Sequence, residues 1–268
     1  IDGCTGEEFD MNAIDGRREQ MVELVRRQGF MTIDALAQQF AVTPQTVRRD
    51  INELADLGLV QRFHGGAGLP SSTENIAYSS RKVMNLAAKQ RIAAEVASRV
   101  SHHASLCINI GTTAEAVAMA LLEHKGLSVL TNNLNVAAMM AGNEDFQVVV
   151  AGGTVRARDR GIVGEATIDL IRQFRVDIAI IGISAIDLDG TLFDYDYREV
   201  RVAQTIIEHA RKVFLAADAS KIGRHAMARM GHFEQVDAFF TDRQPPAELC
   251  DVLERAGTEL CVAGETGD

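Results

Sequence analysis

Beyond residue 105, short apolar runs alternate with segments of helical periodicity, and this alternation constrains the fold more than any other feature of the sequence. Parallel strands need a crossover connection, usually a helix, whereas antiparallel strands need only a turn. The pattern therefore predicts an α/β domain with a mostly parallel sheet and helices on its faces. The predicted strands are Leu106–Ile110, Ser128–Thr131, Gln147–Ala151, Ile178–Gly182, Val213–Ala216, Ala238–Thr241 and Leu260–Ala263. The predicted helices are Ala114–Glu123, Leu134–Ala141, Glu165–Phe174, Tyr197–Ala210 and Ala247–Ala256.

The N-terminal segment has a different pattern, which predicts three short helices followed by a β-hairpin wing. The first helix begins near Arg17, and Thr32 is a suitable N-cap for the second. A tight break at residues 41–42 precedes a third helix, which Thr43 caps and Pro44 begins, since a missing N–H is harmless in the first turn. Two short helices joined by such a turn form a helix-turn-helix, which places its second helix in the DNA major groove.

The third predicted helix has a polar side opposite an apolar one, and the polar side predicts a DNA-reading surface. Val47, Ile51 and Leu54 recur at helical spacing and should be buried. Glutamine and asparagine can read adenine edges, and arginine can read guanine or bind phosphate. The residues predicted to contact DNA are Thr43, Pro44, Gln45, Thr46, Arg48, Arg49 and Asn52 of this helix, with Arg62 and His64 of the wing.

The distribution of charge agrees with a nucleic-acid partner, although the chain as a whole is acidic. A net charge of -10 argues at first against such a partner. Residues 17–91, however, contain 11 Lys and Arg against 7 Asp and Glu, so a mildly basic head precedes an acidic body. The alternative for the head is a three-helix protein-interaction module whose arginines are only solvated.

The stretch from Thr32 through the wing resembles the N-terminal signature of the DeoR-type bacterial transcriptional regulators. Arg48, Arg49 and Asp50 match the R-R-D of the T-V-R-R-D core in that family's recognition helix. Residues 62–67 match the R-x-H-G-G-A segment that closes its wing. The resemblance implies a winged helix-turn-helix domain that binds double-stranded operator DNA. We expect a homo-oligomer, because repeated or palindromic half-sites are read by two or more recognition helices.

Polar residues follow four of the predicted strands at their carboxyl ends, where parallel α/β sheets bind ligands. These segments are GTT at 111–113, NN at 132–133, GGT at 152–154 and DASK at 218–221. Glycine lets the backbone approach an anion, and hydroxyls and helix N-terminal amides donate to phosphate. Each segment alone is equally well explained as a turn, a helix cap or solvated surface. Together they predict a pocket for a compact, hydroxyl-rich phosphate ester.

The same segments extend the resemblance to the effector domain of the DeoR-type regulators, whose fold is related to ribose-phosphate isomerases and coenzyme A transferases. IGTTAEAVA, TNNLNVA, AGGTVRARDRGIVGEAT and ADASKIGRHAM are most similar to members that control glycerol and glycerophosphate catabolism. This implies a repressor that is released from DNA when a small phosphorylated polyol binds. The resemblance favours glycerol-3-phosphate as this effector, and another sugar phosphate is the alternative. The implied ligand contacts are Gly111, Thr112, Thr113, Asn132, Asn133, Gly152, Gly153 and Lys221, with Asn109 beside them.

Position 109 departs from the family, which usually has an aspartate there. Asn109 can hydrogen-bond a hydroxyl but cannot act as an ionised base. A sugar-phosphate isomerase is the alternative to a sensor, and the neutral residue and the DNA-binding head both favour the sensor, with no catalytic residues. The isomerase alternative would need a general acid or base, and the candidate carboxylates near the predicted pocket are Glu165, Asp194, Asp196, Glu199 and Asp218.

Several classes of site are not expected. The chain has neither a phosphate-binding P-loop motif nor a G-x-G-x-x-G motif at a strand-to-helix turn, so no nucleotide cofactor is expected. The four cysteines have no paired spacing, which favours neither disulfides nor a metal site and is typical of a cytoplasmic protein. The predicted domains are a disordered leader at 1–16, the DNA-binding domain at 17–72, a linker at 73–88 and the effector-binding domain at 89–268.

Overall fold

The computed structural model describes residues 16–25, 30–57, 59–63, 66–68 and 78–264. The chain divides after Ser80 into two compact units, and this division falls inside the predicted linker at 73–88. The predicted leader lies outside the described residues except for Gly16, which lies in a helix. No described helix is long and apolar enough to cross a bilayer.

The N-terminal unit contains the predicted helix-turn-helix and wing. Its elements are helix α1 at residues 16–25, strand β1 (Phe30–Thr32), helices α2 (Ile33–Gln39) and α3 (Pro44–Asp56), and strands β2 (Gln61–Phe63) and β3 (Gly66–Gly68). The three strands form an antiparallel sheet in the order β1-β3-β2. Strand β1 was not predicted, because three residues directly before a helix are too few to show an alternating pattern.

The predicted helix starts are confirmed by their side-chain caps. Thr32 Oγ1 accepts a hydrogen bond from Ala35 N at 3.1 Å at the start of α2. Thr43 Oγ1 accepts one from Thr46 N at 3.2 Å, ahead of a proline in the first turn of α3. Between the two helices Ala41 has a φ of 52°, in the left-handed region, and this residue makes the sharp turn of the motif.

A buried carboxylate connects α1 to α3. Asp50 lies on the inner side of α3 among apolar residues such as Val47 and Ile51, and it is 1% exposed. Arg17 Nε donates to Asp50 Oδ2 at 2.9 Å, and Arg18 Nε donates to Asp50 Oδ1 at 3.2 Å. The aspartate of the family signature is therefore a structural residue of this unit.

The second unit is built on one parallel sheet. Its helices are α4 (Tyr78–Val83), which begins before the division, α5 (Leu86–Ser98), α6 (Thr112–Ala120), α7 (Leu134–Met140), α8 (Glu165–Ile171), α9 (Tyr197–Glu208) and α10 (Ala247–Ala256). Its strands are β4 (Ser105–Ile108), β5 (Ser128–Thr131), β6 (Gln147–Val150), β7 (Thr154–Val155), β8 (Ile162–Val163), β9 (Val176–Ile181), β10 (Ala185–Ile186), β11 (Thr191–Asp194), β12 (Ala210–Ala216), β13 (Ala228–His232), β14 (Ala238–Thr241) and β15 (Glu259–Val262). Seven of the strands form a parallel sheet in the order β15-β14-β12-β9-β4-β5-β6, which confirms the predicted fold class.

Helices cover both faces of this sheet. Successive side chains of a strand point to opposite faces, and in β9 the residues Ile178 and Ile180 belong to one apolar core whereas Ala179 and Ile181 belong to another. Helices α5, α6 and α7 contribute to the first core, and α8, α9 and α10 contribute to the second. The central strands β4, β5, β9 and β14 are therefore buried on both sides, which explains their nearly continuous apolar sequences, whereas the edge strands β6 and β15 are partly exposed.

Two smaller antiparallel sheets were not predicted. Strands β7 and β8 pair as a hairpin, and β10, β11 and β13 form a three-stranded sheet. Four of these strands have two to four residues, and β13 has the mixed sequence ARMGH. Short strands of this kind carry little periodic signal, and long-range pairing decides where they form.

We expect Asp50→Ala to destabilise the N-terminal unit by about 1–3 kcal/mol, because it removes a buried acceptor from two arginine side chains. The matched control is Glu19→Ala, on the exposed side of α1. Hydrogen exchange of the α3 amides in the full chain measures the difference, and equal protection in the two variants would show that Asp50 contributes nothing to the fold.

Candidate functional site

The polar side of α3 is exposed as predicted. Gln45, Arg48, Arg49 and Asn52 are exposed and recur at spacings of three and four, which places them on one face of the helix. The N-terminal residues of α3 extend this surface: Thr43 and Pro44 are exposed, and Thr46 is half-buried. A polar, exposed helix face of this kind is what a recognition helix presents to the major groove.

The two arginines differ in their contacts. Arg49 Nε donates to Glu53 Oε1 at 3.1 Å, although the Arg49 side chain is 81% exposed. An exposed ion pair of this spacing contributes only about 0.3–0.5 kcal/mol and is readily exchanged for another anion. Within the described part of the chain Arg48 makes neither a hydrogen bond nor an ion pair, so it is available for an external contact.

A hydrogen bond joins the wing to the polar side of α3. Arg62, in β2, donates from Nη1 to Asn52 Oδ1 at 3.1 Å. This contact brings the predicted wing residue Arg62 to the predicted helix surface. His64, the other predicted wing contact, lies outside the described residues.

In the second unit, the predicted ligand residues lie beyond the ends of adjacent parallel strands. Ile108 of β4 is paired with Thr131 of β5, so Asn109 and Asn132 follow at equivalent positions of the two strands. Both asparagines are buried, at 2% and 1% exposed. The sheet therefore brings these two predicted residues together.

Asn133 caps α7 and is fully bonded. Its Oδ1 accepts from Asn135 N at 2.9 Å and from Val136 N at 3.4 Å, and its Nδ2 donates to Glu115 Oε1 at 3.2 Å. Asn135 Nδ2 donates to the same Glu115 oxygen at 3.0 Å. These bonds link α6 and α7, so the polar side chain of Asn133 has a structural role in addition to its predicted one.

The glycines at the predicted loops have different roles. Gly111 has a φ of 145° as the N-cap of α6, and no side chain caps the first amides of this nine-residue helix, which favour an anion. Thr112 and Thr113 are the first two residues of the helix.

Gly153 has a φ of 144°, and a Cβ there would collide with Thr167 Oγ1 and lie 2.9 Å from Val163 O. Gly153 is therefore required by packing against α8, whereas a Cβ at the exposed Gly152 would meet open space.

Lys221 lies in the short turn that follows β12, beside a buried carboxylate. Burial and the like charge of Arg224 lower the pKa of Lys221 to about 7, against the attraction of Asp218. Burial alone would raise the pKa of Asp218, but the attraction of Lys221 and hydrogen bonds from Ser220 and Asn85 bring it below its ordinary value. A lysine that is half-neutral near pH 7 gains its full charge when an anion binds next to it.

A second cation of this neighbourhood, Lys89, was not predicted from the sequence. Lys89 is 3% exposed, and its Nζ donates to the carbonyl oxygens of Arg81 and Met84, the latter at 2.6 Å. Burial lowers the pKa of Lys89, partly offset by the attraction of Asp218. The available signal was its position, because Lys89 interrupts the apolar side of α5 three residues before Ile92.

A buried network surrounds the arginine that follows β7. Arg156 is 7% exposed, and its guanidinium contacts Asp159 at 2.6 Å, Glu199 at 2.7 Å and Asp196 at 3.2 Å. Burial and the nearby charge of Asp194 raise the pKa of Glu199 to about 7. Arg156 therefore joins the loop after β7 to α9 and is already neutralised by carboxylates.

The carboxylates considered for catalysis are thus divided between different environments. Asp194, Asp196 and Glu199 belong to the Arg156 network, and Asp218 lies beside Lys221. Glu165 is exposed and pairs with Arg201 at 2.5 Å. In the portion of the chain that the structure covers, no group of three or more histidine, cysteine or carboxylate side chains has the arrangement of a metal site.

Comparison with known proteins assigns both parts of the chain to one family. The DeoR-like helix-turn-helix domain matches residues 17–73, and the DeoR C terminal sensor domain matches residues 84–243. The glycerol-3-phosphate regulon repressor of Escherichia coli (strain K12) is 49% identical over 247 residues, which cover 91% of this chain and 98% of that protein. The protein of the same name from Haemophilus influenzae is 49% identical over 246 residues, covering 92% and 96% of the two chains.

More distant similarities include another repressor and a solved enzyme structure. The HTH-type transcriptional repressor CsqR of Escherichia coli (strain K12) is 40% identical over 249 residues, which cover 93% of this chain and 95% of that protein. Ribose 5-phosphate isomerase A from Methanocaldococcus jannaschii is a structural neighbour with a TM-score of 0.39 and 15% identity, covering 52% of this chain and 55% of that one. The two domain matches and the full-length relatives show that the chain belongs to the DeoR family of helix-turn-helix transcriptional regulators.

Proposed function

We propose that this protein represses genes of glycerol-3-phosphate metabolism and leaves its operator when a small phosphorylated polyol binds to the second unit. The observation that carries the proposal is the 49% identity to glycerol-3-phosphate regulon repressors over more than nine-tenths of either chain. Glycerol-3-phosphate is the effector that we favour, and another sugar phosphate is the alternative. The protein acts in this scheme as a sensor in the cytoplasm, without catalytic turnover.

In this scheme α3 lies in the major groove of the operator. Arg48 and Gln45 on its exposed side are suited to base edges, since arginine pairs with guanine and glutamine with adenine. Thr43 and Thr46, at the amino end of the helix, are suited to a phosphate, which the helix dipole also favours. The contact between Arg62 and Asn52 holds the wing beside this surface.

The effector would bind beyond the sheet with its phosphate between two sources of positive charge. One source is the amino end of α6 at Gly111, Thr112 and Thr113, and the other is Lys221. Strand β12 is separated from β4 only by β9, so the ends of these strands lie about 10 Å apart, a gap that a lysine side chain and a bound phosphate would bridge together. Gly152 and Asn133 lie on the adjoining loops and complete the predicted pocket.

Release from DNA requires that the effector prefer one arrangement of the subunits. A ligand shifts an equilibrium only by the difference in its affinity for the two states. Two recognition helices bind half-sites about 34 Å apart on one side of a duplex, so a homo-oligomer loses affinity when their spacing changes. Closure of the loops at Gly111 and Gly152 on the phosphate would supply that difference.

Glycerol-3-phosphate should therefore lower operator affinity by at least about tenfold, which corresponds to a coupling free energy of about 1.4 kcal/mol. The measurement is a fluorescence-anisotropy titration of a duplex that the protein itself has selected from random sequence, with and without saturating effector. Inorganic phosphate at the same ionic strength is the control for salt effects. Unchanged affinity would refute this effector, and conversion of added ribose 5-phosphate by the protein would indicate an isomerase instead.

Arg48→Ala and Arg49→Ala should each weaken binding to the selected duplex. If the arginine contacts a base, the loss is about 1–3 kcal/mol and specificity relaxes at one position, whereas a phosphate contact weakens binding to all sequences alike. Arg243→Ala removes an exposed arginine of the second unit and is the matched control. Binding of both α3 variants at the level of this control would mean that another surface contacts DNA.

Effector affinity should decrease above pH 7 because of Lys221. With a pKa of about 7, Lys221 is increasingly neutral as the pH rises and must take up a proton before it pairs with a phosphate dianion. Affinity should fall by up to about tenfold per pH unit until the pKa of the complex is reached. Calorimetry at pH 8 in buffers of different ionisation enthalpy should show proton uptake on binding.

Lys221→Arg is the matched variant for this pH dependence. Arginine keeps its charge throughout the range, so both the decline in affinity and the proton uptake should disappear. A wild-type affinity that stays constant from pH 7 to pH 9 would exclude Lys221 from the phosphate site.

A further inference from the structure

Two buried asparagines lie side by side at the ends of neighbouring strands. Ile108 and Thr131 are paired in the ladder between β4 and β5, so Asn109 and Asn132 are also level with each other. Neighbouring strands lie about 4.8 Å apart, and residues at equivalent positions project from the same face. The two amide groups therefore form one local cluster on the sheet.

Among the described residues, each of these asparagines has a carbonyl oxygen without a partner. Asn132 Nδ2 donates to Ile162 O at 3.1 Å, and this bond fixes which side of the amide faces away from β8. Oδ1 of Asn132 and Oδ1 of Asn109 are both buried, and neither accepts a hydrogen bond from the residues that the structure describes. Buried polar atoms in native proteins are almost always paired with protein groups or ordered water, so two neighbouring unpaired acceptors require donors from outside the described chain, such as the hydroxyl groups of a ligand.

We propose that Asn109 and Asn132 select the effector by accepting hydrogen bonds from two neighbouring hydroxyl groups, so that the effector is a phosphorylated 1,2-diol. The inference rests on the proposed function and specifies the ligand class of the same pocket. An amide oxygen accepts a hydrogen bond from a hydroxyl group. A carbonyl or carboxylate oxygen of a ligand is itself an acceptor, so it would form no hydrogen bond with the amide oxygen. A 1,2-diol offers two donors on adjacent carbons, and an α-hydroxy ketone offers only one.

The surroundings of the pair suit the phosphorylated end of such a molecule. Gly111, two residues after Asn109, begins α6, whose first amides favour an anion. The neutral amide of Asn109 adds no repulsion toward a phosphate dianion, whereas a carboxylate at the same position would. Hydroxyl recognition and phosphate binding thus use neighbouring parts of one strand-to-helix connection.

Four three-carbon phosphates test the inference on the full chain by calorimetry. They are sn-glycerol 3-phosphate, dihydroxyacetone phosphate, 3-hydroxypropyl phosphate and 2-hydroxypropyl phosphate, and only the first has both hydroxyl donors. We expect it to bind at least about tenfold more tightly than each of the others, because every analogue leaves a buried acceptor unpaired.

Variants of Asn109 assign the effect to this residue. Asn109→Leu removes the acceptor at similar size, so the variant should bind one of the two hydroxypropyl phosphates as tightly as it binds glycerol 3-phosphate. Asn109→Asp keeps an acceptor, so it should weaken all four phosphates alike and preserve their order. Asn132→Leu also removes the hydrogen bond to Ile162, so it can weaken binding of all four phosphates. For this variant we therefore compare the order of the four affinities and not their absolute values.

The outcomes separate this inference from the proposed function. Equal affinity of the wild-type protein for all four compounds would overturn the inference and leave the asparagine pair as a site for water only. Failure to bind any of the four and erythritol 4-phosphate as well would overturn it in the same way. An unchanged order of affinities in Asn109→Leu would overturn it as well. If glycerol 3-phosphate fails but erythritol 4-phosphate binds and Asn109→Leu loses the preference for its diol, the diol site is supported and the proposed effector is refuted.

Discussion

The parallel hydrogen-bond ladder of the second unit is the constraint on which the rest of its structure depends. Parallel pairing brings the carboxyl ends of β4, β5, β9 and β12 to one edge of the sheet, and burial on both faces excludes unpaired polar groups from the strands themselves. Polar residues are therefore gathered immediately beyond the strand ends. Asn109 and Asn132 are each the first residue after a strand, and Asp218 is the second, so one backbone arrangement produces the whole polar neighbourhood.

The N-terminal unit obeys a similar rule with the periodicity of a helix. Arg48 and Arg49 face outward on α3, whereas the next residue, Asp50, turns inward and pairs with Arg17 and Arg18. Three consecutive charged residues of one signature thus lie in two different environments. The outward pair is suited to bind a partner, and the inward carboxylate fixes α3 against α1 so that the outward pair is presented in one orientation.

Most of this architecture could be predicted from the sequence, because local patterns dictate it. The seven strands of the parallel sheet and the caps at Thr32 and Thr43 all lie where periodicity and capping residues indicated. The small antiparallel strands could not be predicted, since their partners are distant in sequence. For the same reason Lys89 was missed, because only the tertiary structure shows it beside Asp218. Only the tertiary structure shows, too, that carboxylates of α9 and of its own loop neutralise Arg156.

Buried polar groups in the second unit are of two kinds, and the difference has a physical consequence. The Arg156 network is paired on every side, so it makes the loop after β7 rigid relative to α9. Asn132, by contrast, is bonded to Ile162 through both its side chain and its backbone, at 3.1 and 2.7 Å, while its remaining oxygen has no partner within the described structure. A donor that binds this oxygen acts on a residue attached to β8, which pairs with β7, and β7 leads directly into Arg156. A displacement of Asn132 therefore either breaks its two hydrogen bonds to Ile162 or moves the hairpin of β7 and β8. This hairpin leads into the Arg156 network, whose paired side chains resist such a movement.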